Sequence, residues 1–354
     1  MVNLINNCVN PWVWNIESYI PGQMKEGYLK LASNENNYGP APGVISALNK
    51  NLNSIHRYPY KDQQVKQKIA EYCNCDEKNI LMGNGSDEII DLIFKSFKTP
   101  AVSMFPTFSE YKIVAQILNK EYNDINLNPD FGFDAEKFIK DDKFGEAKLI
   151  FLCSPNNPTG GVIKNCDVKK ICEEGQKPGN EKIVVVDEAY YEFSGKTCVN
   201  LVKEYDNLIV TRTFAKAFAI AGLRMGYAVA NEDLIKSLHK VKPPFNVNVL
   251  AHAAAVAALF DVEFMKKNVE KIIKDREILM KKLNDKFNVF PTEANFILFD
   301  VSPMTADEFF NKFFEEKIIV RKFGKFEGFE GDYVRVSVGT GEENKRFIEV
   351  LDEL

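Results

Sequence analysis

The sequence predicts an α/β fold, a mainly parallel central sheet sandwiched by helices, with a smaller α+β domain built from the chain ends. Three observations predict it. From about residue 80 to 230, short apolar runs alternate with amphipathic stretches, the pattern of strands joined by crossover helices. Several runs, such as "KLIFLC" and "KIVVVDEAY", are continuously apolar, as strands covered on both faces are. The length of 354 residues exceeds what one small core needs, so two domains are expected: 31–255, and 1–30 together with 256–354.

Taken in order, an expected strand at 80–82 leads into "GNGSDEIIDLIFKSF". There Ser86 reads as a helix cap, with acidic residues in the first turn and apolar positions at Ile89, Ile90, Ile93, Phe94 and Phe97. A helix start preceded by glycine can cradle a phosphate with backbone N–H groups, although the full G-x-G-x-x-G pattern is absent. Further strands are expected at 101–105, 148–153, 182–186, 208–211 and 225–230. From 251 to about 287 the chain reads as a long helix with a break at Asp261. A strand in "ANFILFD", a helix at 307–316, and strands in "KIIVRKF" and "DYVRVSVGT" follow. In the last of these, Arg335 falls on the face opposite Val334, Val336 and Val338, so alternation alone predicts a solvent-facing guanidinium.

Hydrophobic content of 45% and charged content of 27% are those of an ordinary soluble globular protein. A net charge of -5 leaves no excess of lysine and arginine to neutralise phosphates, which argues against a nucleic-acid partner. Among seven scattered cysteines the one close pair, Cys73 and Cys75, lacks a second pair at metal-ligand spacing. His56, His239 and His252 stand far apart, so no metal is expected. No stretch is long and apolar enough to span a bilayer, and residues 1–14 lack an export signal. The expectation is a cytoplasmic protein with no membrane partner.

The strand ends carry the chemistry. In an open parallel sheet, ligands bind beyond the carboxyl ends of the strands. Here "KLIFLC" runs into Ser154-Pro155-Asn156-Asn157-Pro158-Thr159-Gly160, "KIVVV" into Asp187-Glu188-Ala189-Tyr190, and "NLIVT" into Arg212-Thr213-Phe214-Ala215-Lys216. Alone, Asn157 reads equally as a turn residue, Asp187 as a helix cap, Lys216 as a surface lysine and Arg224 as a surface arginine. Together they present an amide, a carboxylate, a phenol and an amine to one crevice, with a cation for an anionic group.

"NNPTGG", "VVVDEAY" and the segment from Lys216 to Arg224, in this order and spacing, resemble the fold-type I, class I/II aminotransferases. Within them, the resemblance is nearest to the histidinol-phosphate aminotransferases, and it runs from about Tyr19 to Thr340. It implies pyridoxal 5'-phosphate as cofactor, bound covalently by Lys216, which also carries the proton of the substrate's α-carbon. Asp187 would pair with the ring nitrogen, and Asn157 and Tyr190 with the phenolic oxygen. Thr213, Arg224 and the backbone around Ser86 and Asp87 would hold the phosphate. Phe108 would stack on the ring, with Tyr111 behind it near Asp187. Tyr58 would reach the phosphate of a neighbouring subunit, which implies a homodimer.

For the substrate, the resemblance implies Arg335 and Arg321 as anion-binding residues and places Tyr19 and Asn34 beside them. Asn37 departs from the family, where proline is usual. The expected reaction is amino transfer between L-histidinol phosphate and 2-oxoglutarate. The alternatives are an aromatic or broad-range amino-acid aminotransferase and an amino-acid phosphate decarboxylase of the same fold. A cofactor-sensing regulator would need a DNA-binding segment ahead of the family pattern, and none is expected.

Overall fold

The computed structural model describes residues 5, 8–16 and 24–354. In chain order its strands are β1 (Leu29–Lys30), β2 (Ile80–Gly83), β3 (Ala101–Phe105), β4 (Tyr122–Asn126), β5 (Leu149–Cys153), β6 (Ile183–Asp187) and β7 (Leu208–Thr213). They continue with β8 (Gly226–Ala230), β9 (Asn288–Val289), β10 (Phe296–Asp300), β11 (Ile318–Ile319), β12 (Arg321–Gly324) and β13 (Tyr333–Ser337).

Seven strands form the central sheet in the order β2-β8-β7-β6-β5-β3-β4. Neighbours from β7 to β4 pair in parallel, while β8 runs antiparallel to both β7 and β2, so one strand opposes the other six. Strands β5, β7 and β8 are buried along their whole length, as continuous apolar runs require when helices cover both faces. The expected strand at 182–186 begins one residue later, at Ile183, and extends to Asp187. Lys182 stays outside it, with its ammonium donating to the carbonyls of Gly145 and Ala147 at 2.9 and 2.8 Å.

A second sheet, antiparallel, has the order β12-β13-β10-β9, and β1 pairs in parallel with β11. "KIIVRKF" therefore supplies two strands to two different sheets, where one was expected. The long helical stretch divides at Asp261 into Val249–Phe260 and Val262–Asn284, with the Asp261 side chain accepting from the Phe264 N–H. Under the second sheet, Phe309 stacks on Phe313 at 4.4 Å and Phe313 on Phe347 at 4.7 Å, joining two helices in one apolar layer.

Ser86 is not a helix cap. The helix Gly85–Ser96 starts one residue earlier, with Asn84 at the cap position and no side chain capping it, so Ser86 lies inside the first turn. Asn37 donates to both carboxylate oxygens of Glu343, at 3.0 and 2.9 Å. Proline has no side-chain donor for that bond, which ties the start of the chain to the last helix. Among the described residues, no helix is long and apolar enough to cross a membrane.

Candidate active site

The carboxyl ends of β5, β6 and β7 open onto a cavity of about 360 Å³, walled on its far side by β12 and β13. The close approach of the helix Gly85–Ser96 to the sheet depends on two glycines. A Cβ on Gly226 would meet the Ser86 nitrogen at 2.5 Å, and one on Gly85 would meet the Arg224 guanidinium at 2.6 Å. Gly85 also has a φ of +82°, which side chains disfavour. The helix start, Arg224 and Thr213 therefore meet at one corner of the cavity, a cradle for an anionic group. There Arg224 donates to Asp87 at 2.6 Å, and the Thr213 hydroxyl accepts from the Ala215 N–H at 3.1 Å.

Lys216 reaches the cavity from the loop after β7. Its ammonium donates to the Ser33 carbonyl at 2.9 Å and lies 5.6 Å from the centre of the Tyr190 ring. Burial, and then the charge of Arg335, lower its pKa to about 8. Asp187, at the end of β6, is 3% exposed. It accepts the Tyr111 hydroxyl at 2.7 Å and the Ala189 N–H at 3.1 Å, and among the described residues no ion pair joins it. Burial raises its pKa to about 6. A buried carboxylate with acceptor capacity left over and no cation beside it is fitted to receive a cationic N–H.

Tyr190 packs edge-on against Phe296, and its hydroxyl accepts from the Asn34 amide at 2.9 Å. Burial raises that phenol's pKa, so it stays protonated and able to donate. Asn34 has a φ of +56°, in the left-handed region that asparagine adopts more readily than most side chains. Ser337 holds it there by accepting its backbone N–H at 2.8 Å and donating to its side chain at 3.0 Å, while Asn295 donates to its carbonyl at 3.0 Å. Phe108 lines the cavity and stands edge-on to Tyr111 at 5.7 Å.

Arg335 is buried, 6% exposed, and not solvent-facing as alternation predicts. Alternation assumes one wet face, whereas β13 is buried throughout and its arginine face forms the cavity wall. The guanidinium donates to the Ala32 carbonyl at 2.8 Å and to the Asn157 side-chain oxygen, so Asn157 keeps its N–H groups for an acceptor in the cavity. Arg321 stands directly opposite Arg335 on β12.

One cavity thus gathers Asn34, Ser86, Asp87, Phe108, Asn157 and Asp187, and with them Tyr190, Thr213, Lys216, Arg224, Arg321 and Arg335. Tyr58 is apart from it in the single chain, 74% exposed and stacked on Phe245 at 4.5 Å. Tyr19 lies outside the described residues. Sequence reasoning missed the Ser33 carbonyl, Thr107, Ser337 and the aromatic wall of Phe105, Phe323 and Phe326. A carbonyl has no signature in a sequence. Ser337 had one, since it shares the strand face of Arg335 two residues earlier.

The sequence model of the family "Aminotransferase class I and II" matches residues 26–351. The histidinol-phosphate aminotransferase of Methanocaldococcus jannaschii is 38% identical, over 99% of this chain and 98% of that protein. The crystal structure of the histidinol-phosphate aminotransferase from Clostridium acetobutylicum superposes with a TM-score of 0.86 at 25% identity, covering 92% of this chain and 98% of that one. A histidinol-phosphate aminotransferase from Sinorhizobium meliloti, solved in complex with pyridoxal-5'-phosphate, shares the fold with a TM-score of 0.87 at 21% identity, covering 98% of each chain.

Proposed function

The chain belongs to the class I and II aminotransferases, and from that premise we propose that it moves an amino group between L-histidinol phosphate and 2-oxoglutarate, with pyridoxal 5'-phosphate as its cofactor. The observation that carries the proposal is one cavity holding a half-buried amine, a buried carboxylate with no ion pair among the described residues, and two arginines on the opposite wall. Relatives 34–38% identical over nearly the whole chain bear the name of that enzyme.

The residues fit the cofactor at each end. Arg224, Thr213 and the helix start at Gly85 would hold its phosphate, Asp187 its ring nitrogen, and Tyr190 and Asn157 its phenolic oxygen. When bound, the cofactor supplies the electron sink that lets the substrate's α-carbon lose a proton. With its pKa at about 8, Lys216 is a free amine in about one molecule in ten at pH 7. The neutral amine would serve as nucleophile toward the cofactor and as carrier of the α-proton. Asp187, at about 6, is mostly ionised at the same pH, and a cationic partner holds it so. Arg335 and Arg321 would orient the substrate by its anionic group, since a guanidinium forks onto carboxylate and phosphate alike.

The same reading makes the enzyme a cytoplasmic homodimer. The support for a dimer is the exposure of Ile55, Tyr58, Tyr60 and Phe245, with Tyr58 stacked on Phe245 at 4.5 Å. Absorption spectra of the cofactor-loaded protein, titrated with L-histidinol phosphate and with aromatic amino acids, test the proposal. Bleaching of the yellow band at low histidinol phosphate alone is expected. Equal bleaching by aromatic amino acids would transfer the assignment to the rival substrate class.

A further inference from the structure

Arg321 and Arg335 are Cα partners across the antiparallel pair β12–β13, so two guanidinium groups share one sheet face. Like charges directly opposite one another repel, and the arrangement needs something to hold it. Phe323 is placed to do so. The register of the pair slips at this residue: Lys322 faces Val334 and Gly324 faces Tyr333, which leaves Phe323 as the extra residue of a β-bulge. A bulge re-aims a side chain. Here the ring centre comes to lie 5.8 Å from the Arg321 guanidinium carbon and 5.5 Å from that of Arg335, within cation–π range of both. All three residues line the cavity. Phe326 backs the ring at 5.5 Å and itself stacks on Tyr333 at 4.8 Å, so the ring has a packed support.

We propose that Phe323 is a specificity-determining positioning residue, which holds Arg321 and Arg335 as one paired clamp and so favours a substrate bearing a dianion over one bearing a single carboxylate. The inference rests on the proposed function. A phosphate ester carries close to two charges and three acceptor oxygens, enough to engage two guanidinium forks, whereas one fork satisfies a carboxylate. Without the ring, Arg335 keeps its bonds to Ala32 and Asn157 and its contact with the Phe296 ring at 5.1 Å, while Arg321 loses the π face of Phe323. The dianionic substrate is then weakened more than glutamate.

The test is steady-state kinetics of the cofactor-loaded wild type, Phe323→Leu and Phe323→Tyr. For Phe323→Leu, the KM for L-histidinol phosphate should rise about tenfold, equivalent to about 1.4 kcal/mol, and by clearly more than either kcat or the KM for glutamate changes. Phe323→Tyr keeps the π face and should restore the wild-type KM. If the leucine variant does not fold, Phe323→Met must give the same split. Equal shifts for both substrates, no shift, or a failure of tyrosine to restore would overturn the proposal. If the wild type does not turn over histidinol phosphate, the proposed function fails by itself. The clamp is then tested by calorimetric titration of inorganic phosphate into the cofactor-loaded protein: about tenfold weaker binding by Phe323→Leu sustains it, and equal affinity overturns it.

Discussion

Asp187→Asn is predicted to stabilise the cofactor-free protein while disabling the enzyme. The Asp187 carboxyl has a pKa of about 6 in the fold against an ordinary 3.8, and burial is the first cause. Because the folded value is the higher one, the native state holds this proton more tightly than the unfolded chain does. The resulting contribution to stability is fully present below about pH 4 and is lost as pH rises through about 6. A shift of roughly two pH units at 1.36 kcal/mol per unit places the loss at about 3 kcal/mol by pH 7. Asparagine has nearly the same shape, carries no charge, and keeps both bonds when its side-chain oxygen accepts the Ala189 N–H and its amide donates to the Tyr111 hydroxyl oxygen. The variant without cofactor should therefore exceed the wild type by up to about 3 kcal/mol at pH 7, and the advantage should vanish toward pH 4. Urea unfolding of both proteins, cofactor-free, at a series of pH values from about 4 to 8 measures the difference. Adding cofactor should reverse the order, since only the carboxylate gains a cationic partner and with it the stabilisation by ligand. A difference that does not change with pH, or an asparagine variant less stable at pH 7, would refute the reasoning.

Lys216→Ala should lower transamination by about a thousandfold or more with an unchanged far-ultraviolet spectrum, because no other lysine lines the described cavity. Arg335→Ala should raise the KM of both substrates, each by about 2 kcal/mol or more, through loss of a buried charged donor; an effect on glutamate alone would contradict a shared anion site. Dimers mixed from a Tyr58→Phe chain and a Lys216→Ala chain locate Tyr58. If it crosses the interface, the one site with an intact lysine also has an intact tyrosine from its partner and binds cofactor as tightly as wild type. Loosened cofactor at that site would place Tyr58 in its own subunit's site.

The parts of this molecule legible in its sequence are those whose surroundings are uniform. Strand β5 is apolar throughout and β7 from Leu208 to Val210 because helices cover both faces, and such runs announce themselves. Strand β4, "YNDIN", was missed because it lies at the sheet edge with one fully buried residue, and an edge strand needs no apolar pattern. The helix Gly341–Asp352 was also missed, although Thr340 and Glu343 form a capping box visible in the sequence. Its buried positions, Asn344, Phe347, Val350 and Leu351, include a polar residue whose amide bonds both the carbonyl and the N–H of Gly339. That polar residue breaks the apolar stripe a helix is recognised by.

In the site, the same division follows sequence distance. Asp187, Tyr190, Thr213 and Lys216 stand at successive strand ends, so topology alone brings them together once the strands are recognised. The contacts that set their chemistry span far more chain: Lys216 to the Ser33 carbonyl across 183 residues, and Arg335 to Asn157 across 178. No local pattern encodes such pairs, and the bulge at Phe323 depends likewise on the register of two strands. The arginine misread as solvent-facing makes the point sharply. Arg335 sits on β13 where alternation puts it, and what makes that face a cavity wall is the opposing loop carrying Asn157 and the backbone of Ala32. Strand periodicity assigned the side of the sheet correctly. Only the tertiary fold decides whether that side meets water or substrate.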